Sequence, residues 1–220
     1  MRLIFIGPPG SGKGTQAKLL GKRQGLLHFA TGDVLRQAIE QETPEGQLAK
    51  PFISNGMLVP DDVVNQIVRA RFRSPSRPDR FVLDGYPRTL AQALAFDSLL
   101  KEIDLDLTAV VLLQVDDEEI VRRLSDRWTC PNPTCQATYQ ANSKPPKVAD
   151  VCDVCQTKLY QRDDDKPETI RARLRVFHEL HDAILKHYAL QNRVVEVPGQ
   201  GDIETIYENI LRGLRQKISV

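Results

Sequence analysis

The sequence lacks both an excess of one charge and any long hydrophobic run. Its 220 residues include 30 Lys and Arg and 29 Asp and Glu, which leaves a formal net charge of +1. Dedicated nucleic-acid-binding proteins usually carry a basic excess, so we expect no nucleic-acid partner. No apolar run approaches the roughly 18–20 residues that span a bilayer, which argues against a membrane protein. The apolar run Leu3–Ile6 is too short for a signal peptide, and we expect a cytoplasmic protein.

Cysteine is also scarce, and the four cysteines form two close pairs. Cys130 and Cys135 are separated by four residues, and Cys152 and Cys155 by two. In a reducing compartment such pairs favour a bound metal over disulfides. Four thiolates suit a closed, tetrahedral structural site, so we predict a structural Zn²⁺ bound by all four cysteines. Iron also binds four thiolates, and the choice between the two metals stays open at this point.

Short apolar runs alternate with helical patterns along most of the chain. Helical spacing of apolar residues occurs between the runs, for example from Gly12 to about Gln24. This alternation predicts an α/β fold with a parallel sheet. The runs that predict buried strands are Leu3–Ile6, Phe81–Leu83, Ala109–Val115 and Arg193–Val197, with a weaker candidate at Leu26–Phe29.

Two segments interrupt the alternation. Residues 30–59 have the pattern of a helix–turn–helix with no strand. Residues 128–160 contain all four cysteines and four prolines, and they lack helical periodicity. We interpret each segment as an insertion at the loop edge of the sheet, where ligands bind in open α/β folds.

The stretch "GPPGSGKGTQ", residues 7–16, has most of a phosphate-binding P-loop. Gly7, Gly12 and Lys13 fit the pattern, but Gly14 stands where a Mg²⁺-binding hydroxyl is expected, and Thr15 follows one position late. The stretch follows an apolar strand and opens a helix, which is the context that the motif requires. Backbone N–H groups and the helix N-terminus would then cradle phosphates, with Lys13 as the cation.

An acidic residue and several arginines complete the candidate chemistry. Asp84, in "LDGYPRT", ends a predicted strand and faces the ligand edge, where it can hold Mg²⁺-bound water. Six arginines and one lysine carry more positive charge than one triphosphate needs, which predicts two phosphate-bearing substrates. The six are Arg36, Arg88, Arg123, Arg127, Arg162 and Arg173.

Two helical motifs have a structural interpretation. Pro167 suits the first turn of a helix, and Asp165 suits its N-cap. The sequence "HELH" resembles a zinc-protease motif, but His178 and His181 are three positions apart rather than four. We interpret both histidines as ordinary helix residues.

Taken together, the motifs resemble the adenylate kinase family, in its long form with a zinc-bearing lid. The resemblance covers essentially the whole chain. It rests on "GPPGSGKGTQ", "TGDVLR", "NGMLVP", "LDGYPRTLAQA", the two cysteine pairs and "LYQRDDDKPETIRARL". The first cysteine spacing is two residues longer than is usual in the family.

The resemblance implies a P-loop nucleoside monophosphate kinase fold, with a five-stranded parallel sheet flanked by helices. Residues 1–29, 60–125 and 166–220 would form the core, residues 30–59 a helical domain that binds the monophosphate, and residues 126–165 the lid with the four-cysteine site. The implied reaction is ATP + AMP = 2 ADP, with Mg²⁺ held mostly by water and phosphate. The implied state is a monomer.

The resemblance also implies roles for particular residues. Those implied for ATP are Gly10, Ser11, Gly12, Lys13, Gly14, Thr15, Arg123 against the adenine, Arg127, Thr138, Tyr139 and Gly201. Those implied for AMP are Thr31, Arg36, Met57, Leu58, Val59, Gly85, Tyr86, Pro87, Arg88, Gln92, Arg162 and Arg173. The catalytic set would be Lys13, Asp84, Arg88, Arg127, Arg162 and Arg173.

Two alternative functions remain open on the sequence. One is a kinase for UMP or CMP. Against it, the Gln92 amide complements the Watson–Crick edge of adenine, whereas by resemblance UMP and CMP kinases tend to carry Asn there and Ala in place of Thr31. The other is a zinc-ribbon nucleic-acid-binding protein with a regulatory ATP site, which would need basic and aromatic residues around the cysteines.

Overall fold

Within residues 1–142 and 144–218, which the computed structural model describes, five parallel strands pair into one sheet. The remaining positions, Ser143 in the predicted lid and residues 219–220 of the predicted core, lie outside the described residues. In chain order the strands are β1 (Arg2–Ile6), β2 (Leu27–Ala30), β3 (Phe81–Asp84), β4 (Ala109–Gln114), β5 (Arg127–Thr129), β6 (Thr138–Gln140) and β7 (Val194–Pro198). The parallel sheet has the order β2–β3–β1–β4–β7, while β5 and β6 form a separate antiparallel pair.

Helices lie between and after the strands, so the predicted α/β fold is confirmed. Among the described residues, none of the helices has the length and apolar character that a bilayer span requires. The helices are α1 (Lys13–Gln24), α2 (Thr31–Glu40), α3 (Pro44–Ser54), α4 (Asp61–Arg73), α5 (Leu90–Glu102), α6 (Asp117–Ser125), α7 (Pro167–Leu190) and α8 (Ile203–Ile218).

Side-chain alternation along the strands produces one core on each face of the sheet. In β1, Leu3 and Phe5 pack on one side with α1 and α8, while Ile4 and Ile6 pack on the other with α4, α5 and α7. All four side chains are buried. Because the sheet is covered on both faces, the inner strands β1, β3 and β4 are apolar almost throughout, which is why they were identifiable from sequence.

The carboxyl ends of three strands meet at one edge of the sheet. Phe5 of β1 and Ala30 of β2 both lie in register with Asp84, the last residue of β3. The glycine-rich loop follows β1 at this edge, and Thr31 follows β2. The edge therefore collects the phosphate-binding motif, the acidic residue and the start of α2 in one place.

The two interrupting segments differ in structure. Residues 31–54 form α2 and α3, two helices joined by a turn, as the pattern predicted. The described part of residues 128–160 contains the β5–β6 hairpin and isolated bridges such as Thr129 to Tyr160, without a helix.

The predicted cap of α7 is wrong. Lys166 is the N-cap residue, with Pro167 at the first helical position. Asp165 ends a short 3₁₀ turn, Asp163–Asp165, and its carboxylate accepts two hydrogen bonds from Arg127 instead. The guanidinium of Arg127 engages both oxygens of the carboxylate, and such bidentate pairs are among the strong hydrogen bonds of proteins.

Candidate active site

The glycine-rich loop between β1 and α1 is shaped by close approaches that only glycine tolerates. Gly10 and Gly12 have positive φ angles of 79° and 95°. A Cβ atom on Gly10 would lie 2.7 Å from Cγ of Leu124, in α6. The loop therefore follows a conformation that exposes backbone N–H groups at the start of α1, where an anion is stabilised.

The missing hydroxyl of the P-loop is explained by Asp84. A Cβ atom on Gly14 would lie 3.1 Å from Oδ2 of Asp84, so a Ser or Thr side chain would crowd the carboxylate. The carboxylate occupies the space next to the position where other P-loops place their metal-binding hydroxyl. Gly14 and Asp84 therefore form one arrangement, in which an acid lies beside the loop.

Lys13 folds back onto its own loop. Its Nζ atom donates hydrogen bonds to the carbonyl oxygens of Gly7 and Pro8, at 2.7 and 2.8 Å. Burial lowers the pKa of Lys13 to about 8, although the nearby Asp84 carboxylate opposes that shift. The third neutral acceptor of Nζ is Oγ of Ser11, at 3.3 Å. The ammonium group is thus protonated at neutral pH and held by neutral acceptors, which an anion can replace.

Asp84 stays ionised in spite of its burial. Burial opposes ionisation, but the contact with the His28 side chain and the positive charge of Lys13 outweigh it and hold the pKa of Asp84 below its ordinary value. The Nε2 atom of His28 lies 3.6 Å from Oδ2 of Asp84. Sequence reasoning missed His28, although a histidine inside a buried strand beside a functional acid is a signal that could have indicated it.

All six predicted arginines line one cavity of about 780 Å³, and all of them except Arg88 lie within 4.0 Å of a carboxylate. Asp165 binds Arg127 through both oxygens at 2.6 and 2.8 Å, and Asp164 lies 2.9 Å from Arg173. The cavity is lined by Arg36, Arg88, Arg127, Arg162 and Arg173, together with the sixth arginine, Arg123. Asp33 and Asp164, which sequence reasoning did not place in a site, bring several of these cations close together.

Arg162 has donor capacity that no described group uses. Its Nε atom is buried and has no hydrogen-bond partner among residues 1–142 and 144–218. Burial, together with Arg36 and Arg127, lowers the pKa of Arg162 to about 10, and burial lowers the pKa of Arg173 to about 10. Both guanidinium groups remain charged at neutral pH, so the cavity is preorganised for an anion.

A second, smaller cavity shares several residues with the first and lies beside α2. Gln92 is 2% exposed there, so it is not a solvated helix residue. Its Oε1 accepts a 2.7 Å hydrogen bond from the Arg88 N–H, and its Nε2 donates a 2.7 Å hydrogen bond to Asp61. These contacts fix the orientation of the Gln92 amide. They leave one lone pair of Oε1 and one N–H of Nε2 available for a ligand. The predicted residues that line this cavity are Thr31, Arg36, Met57, Leu58, Val59, Gly85, Arg88, Gln92 and Arg173.

The remaining predicted residues divide into two groups. Tyr86 is 1% exposed and lies in the aromatic core against Phe96, with its hydroxyl donating to Asn65. The others line the larger cavity, and these are Gly10, Ser11, Gly12, Gly14, Thr15, Pro87, Thr138, Tyr139 and Gly201. Lys18 also lines that cavity and was missed, since a lysine on an amphipathic helix reads as a solvated charge.

The four cysteines converge on one point. Their sulfur atoms all lie within 4.8 Å of one another, with Cys130 to Cys155 at 3.3 Å and Cys135 to Cys152 at 3.7 Å. A tetrahedron with metal–sulfur bonds of about 2.3 Å has sulfur atoms about 3.8 Å apart. The donor set and its dimensions therefore fit a metal bound by four thiolates.

The longer cysteine turn does not prevent this convergence. The backbone N–H groups of Cys135 and Gln136 both donate to the carbonyl of Asn132, at 3.0 and 2.9 Å. The side chain of Asn132 also accepts a hydrogen bond from the Thr134 N–H. This tight turn accommodates the two extra residues and returns Cys135 to the other three sulfurs.

The two histidines of "HELH" lie within α7, as interpreted. His178 pairs with Asp117 of α6 at 2.9 Å, and His181 stacks on Phe177 with ring centroids 4.4 Å apart. His181 and Phe177 line the far side of the large cavity. Neither histidine belongs to the four-sulfur cluster.

Comparison with known proteins identifies relatives along almost the whole chain. A family model described as adenylate kinase matches residues 5–193. An adenylate kinase of Archaeoglobus fulgidus is 45% identical over 210 residues, which cover 96% of each chain. Adenylate kinases of Petrotoga mobilis and Streptomyces avermitilis are each 41% identical, over 98% and 99% of this chain and 98% of the relative in both cases.

Proposed function

The chain belongs to the adenylate kinase family, and we propose how its residues carry out the reaction of that family, ATP + AMP = 2 ADP. The observation that carries the proposal is the convergence of the six predicted arginines and Lys13 on one cavity beside the glycine-rich loop. Phosphoryl transfer between two nucleotides needs positioning and neutralisation of charge rather than a protein base. A positively charged cavity at a helix N-terminus supplies both the positioning and the neutralisation of phosphate charge.

The phosphate donor occupies the P-loop side of the cavity. Residues 10–15 hold the phosphates of ATP, and Lys13 leaves the carbonyls of Gly7 and Pro8 to bind them. Arg127 adds a second cation there, and Arg123 lies against the adenine. Thr138, Tyr139 and Gly201 border the same nucleotide. The support for this arrangement is that every one of these groups lines the larger cavity.

Mg²⁺ bound with ATP would neutralise part of the phosphate charge. Asp84 is the residue that would hold a water ligand of the ion, because it is ionised and lies beside Gly14. The positive charge of Lys13 stabilises the negative charge of the Asp84 carboxylate. The acid thus takes the part that a Ser or Thr hydroxyl takes in other P-loops.

The phosphate acceptor, AMP, occupies the smaller cavity. The free lone pair and free N–H of Gln92 pair with the adenine N6 amino group and N1. Thr31, Met57, Leu58 and Val59 border the base and sugar, with Gly85, Pro87 and Arg88 on the phosphate side. Tyr86 supports Gln92 from the core, since its hydroxyl lies 3.1 Å from the main-chain carbonyl oxygen of Gln92.

Arg36, Arg88, Arg162 and Arg173 surround the phosphoryl group in transfer. Asp33 and Asp164 hold these guanidinium groups near one another before substrate arrives, at 3.8 Å from Arg162 and 2.9 Å from Arg173. Charge that develops on the transferred group then meets preorganised donors, including the unpartnered Nε of Arg162.

We propose that residues 1–29, 60–125 and 166–220 act as the core, residues 30–59 as the mobile AMP-binding domain, and residues 126–165 as the lid. The four cysteines hold a structural Zn²⁺ that stiffens the lid. Because the four thiolates fill the tetrahedral coordination of the metal, no position is left for a catalytic water, and the metal takes no part in the chemistry. A monomer in the cytoplasm, without nucleic-acid or membrane partners, remains our expectation.

The test is an assay of phosphoryl transfer from MgATP to AMP, UMP and CMP. We expect formation of ADP with AMP, and a value of kcat/KM at least about tenfold higher for AMP than for UMP or CMP. Equal use of the three acceptors would contradict the acceptor assignment. Absence of transfer, combined with salt-sensitive binding of an RNA or DNA oligonucleotide, would favour the zinc-ribbon alternative.

A further inference from the structure

Arg123 is held in one orientation by two hydrogen bonds. Its Nε donates to Oε1 of Glu119 at 2.6 Å, and its Nη1 donates to the carbonyl oxygen of Gly199 at 3.1 Å. The side chain is 17% exposed and lines the large cavity. Because two nitrogens of a planar group are bound to separate acceptors, the plane of the guanidinium is fixed.

Glu119 is itself braced against movement. It lies one helical turn before Arg123 in α6, and both of its oxygens accept hydrogen bonds from Arg122 at 2.8 Å. Hydrogen bonds from Arg122 and then Arg123 lower the pKa of Glu119 to about 2. The carboxylate is therefore ionised at any physiological pH and cannot rotate without breaking two ion pairs.

Gly199 is an equally rigid acceptor. Its N–H donates to the carbonyl of Gln114, the last residue of β4, at 2.7 Å. A Cβ atom on Gly199 would lie 2.5 Å from Cγ2 of Val115, so the loop after β7 is packed tightly against the end of β4. The second support of Arg123 therefore belongs to the sheet rather than to the lid.

The pairing also changes what Arg123 can bind. Glu119 shares its single negative charge between Arg122 and Arg123, so Arg123 keeps positive charge, while its Nε–H and one Nη1–H are already used. By contrast, Arg162 keeps a buried Nε without a partner among the described residues. A charged guanidinium whose plane is fixed in this way is suited to stacking on the face of an aromatic ring.

We propose that Glu119 is a positioning residue for adenine binding at the donor site, acting through Arg123. The proposal rests on the proposed function, in which Arg123 lies against the adenine of ATP. Glu119 also lines the large cavity, and its proposed role is to fix the plane of the Arg123 guanidinium. Through that plane it contributes to the affinity for ATP without contributing to phosphoryl transfer.

The proposal is tested with Glu119→Leu and Glu119→Gln in the intact protein. The measurements are the Kd of a non-hydrolysable ATP analogue by titration calorimetry, and kcat with KM for MgATP and for AMP. We expect Glu119→Leu to raise the Kd and the KM for MgATP about fivefold to twentyfold. Glu119→Gln, whose amide oxygen still accepts a hydrogen bond, should have a smaller effect. The kcat and the KM for AMP should change by less than about twofold.

Glu118 provides a matched control, since it is exposed and lies in the same first turn of α6. Glu118→Leu and Glu118→Gln should leave the Kd unchanged. An unchanged Kd in both Glu119 variants would overturn the proposal. A fall in kcat with unchanged Kd and KM would also overturn it. Positioning of the adenine predicts the reverse, a change in Kd and in the KM for MgATP with an unchanged kcat.

A double-mutant cycle tests the route through Arg123. In an Arg123→Ala background, Glu119→Leu should change the Kd by less than about twofold. If Glu119→Leu raises the Kd as much in the Arg123→Ala background as in the wild type, the proposal is overturned. If Arg123→Ala alone leaves the Kd unchanged, both the proposal and the adenine role of Arg123 are wrong. The Kd is independent of turnover, so failure of the transfer assay in the wild type is a separate outcome.

Discussion

The Nζ atom of Lys18 donates a 2.8 Å hydrogen bond to the carbonyl oxygen of Gln136, which joins α1 to the first cysteine turn. Gln136 has a positive φ of 47° and directly follows Cys135. Burial lowers the pKa of Lys18, while the carboxylate of Asp33 opposes that shift. The contact connects the proposed lid to the helix that follows the P-loop.

Substitution of Lys18 by Met should weaken closure of the lid over ATP. A hydrogen bond from a charged donor contributes about 1.5–3 kcal/mol, so we expect the KM for MgATP to rise roughly tenfold or more. The KM for AMP should change little. Lys22→Met is the matched control, because Lys22 lies one turn later in α1 and is exposed. Equal KM values for MgATP in the two variants would show that the contact has no role in closure.

Removal of the Lys13 ammonium should abolish most activity without unfolding the protein. Loss of one preorganised charge at a developing charge typically costs on the order of 10²–10³ in rate, and Lys13→Ala should reach at least that loss in kcat. Circular dichroism and the thermal midpoint check the fold. A folded Lys13→Ala variant with near-normal kcat would remove Lys13 from the mechanism.

The lowered pKa of Lys13 predicts a pH dependence with a definite sign. The lysine is charged below its folded pKa of about 8 and loses its charge as the pH rises through that value. We therefore expect kcat/KM for MgATP to fall above about pH 8. Bound phosphates stabilise the cation, so the corresponding fall in kcat should occur at higher pH. Lys13→Arg, which stays charged, should be less active but should lack this fall in kcat/KM.

Substitution of Gln92 by Ala should reduce discrimination between AMP and UMP. An unpaired buried polar group costs about 1–3 kcal/mol, which predicts a tenfold to hundredfold fall in the ratio of kcat/KM for AMP over UMP. The affinity for ATP should change little. The measurement is kcat/KM for the two acceptors, in the wild type and the variant.

Gln92 also binds Asp61, so a control for lost stability is required. Thr89 donates to the other oxygen of Asp61 at 2.7 Å and caps α5. Thr89→Val should therefore lower the thermal midpoint without changing the ratio of kcat/KM for AMP over UMP. The same loss of discrimination in Thr89→Val would mean that Gln92 acts through Asp61 rather than through the base.

Loss of the lid metal should affect stability more than chemistry. We expect about one zinc per chain in the purified protein, with a lower thermal midpoint after chelation and recovery on adding Zn²⁺. Cys152→Ser with Cys155→Ser should reduce bound metal to near nothing. Iron found in place of zinc by elemental analysis would correct the metal, and identical melting with and without chelator would contradict a structural site.

Much of this protein could be inferred from local patterns, because the interactions behind them are local. A strand buried on both faces must be apolar throughout, so Leu3–Ile6 and Ala109–Val115 are visible without any tertiary knowledge. The glycines of the P-loop and the two cysteine pairs likewise carry their chemistry in their spacing. Asp84 was identifiable because it ends such a strand at the edge where ligands bind.

Contacts between distant parts of the chain could be seen only in the folded molecule. Arg127 and Asp165 are 38 positions apart, and Lys18 and Gln136 are 118 apart. Asp165 has the sequence context of a helix cap, and only the packing of α7 against α6, which ends just before Arg127, gives it Arg127 as a partner instead. Glu119 looks like one of several acids in a solvated helix until the loop at Gly199 completes the support of Arg123. A residue pattern records what each segment can form, whereas the choice among competing partners depends on which segments the fold brings together.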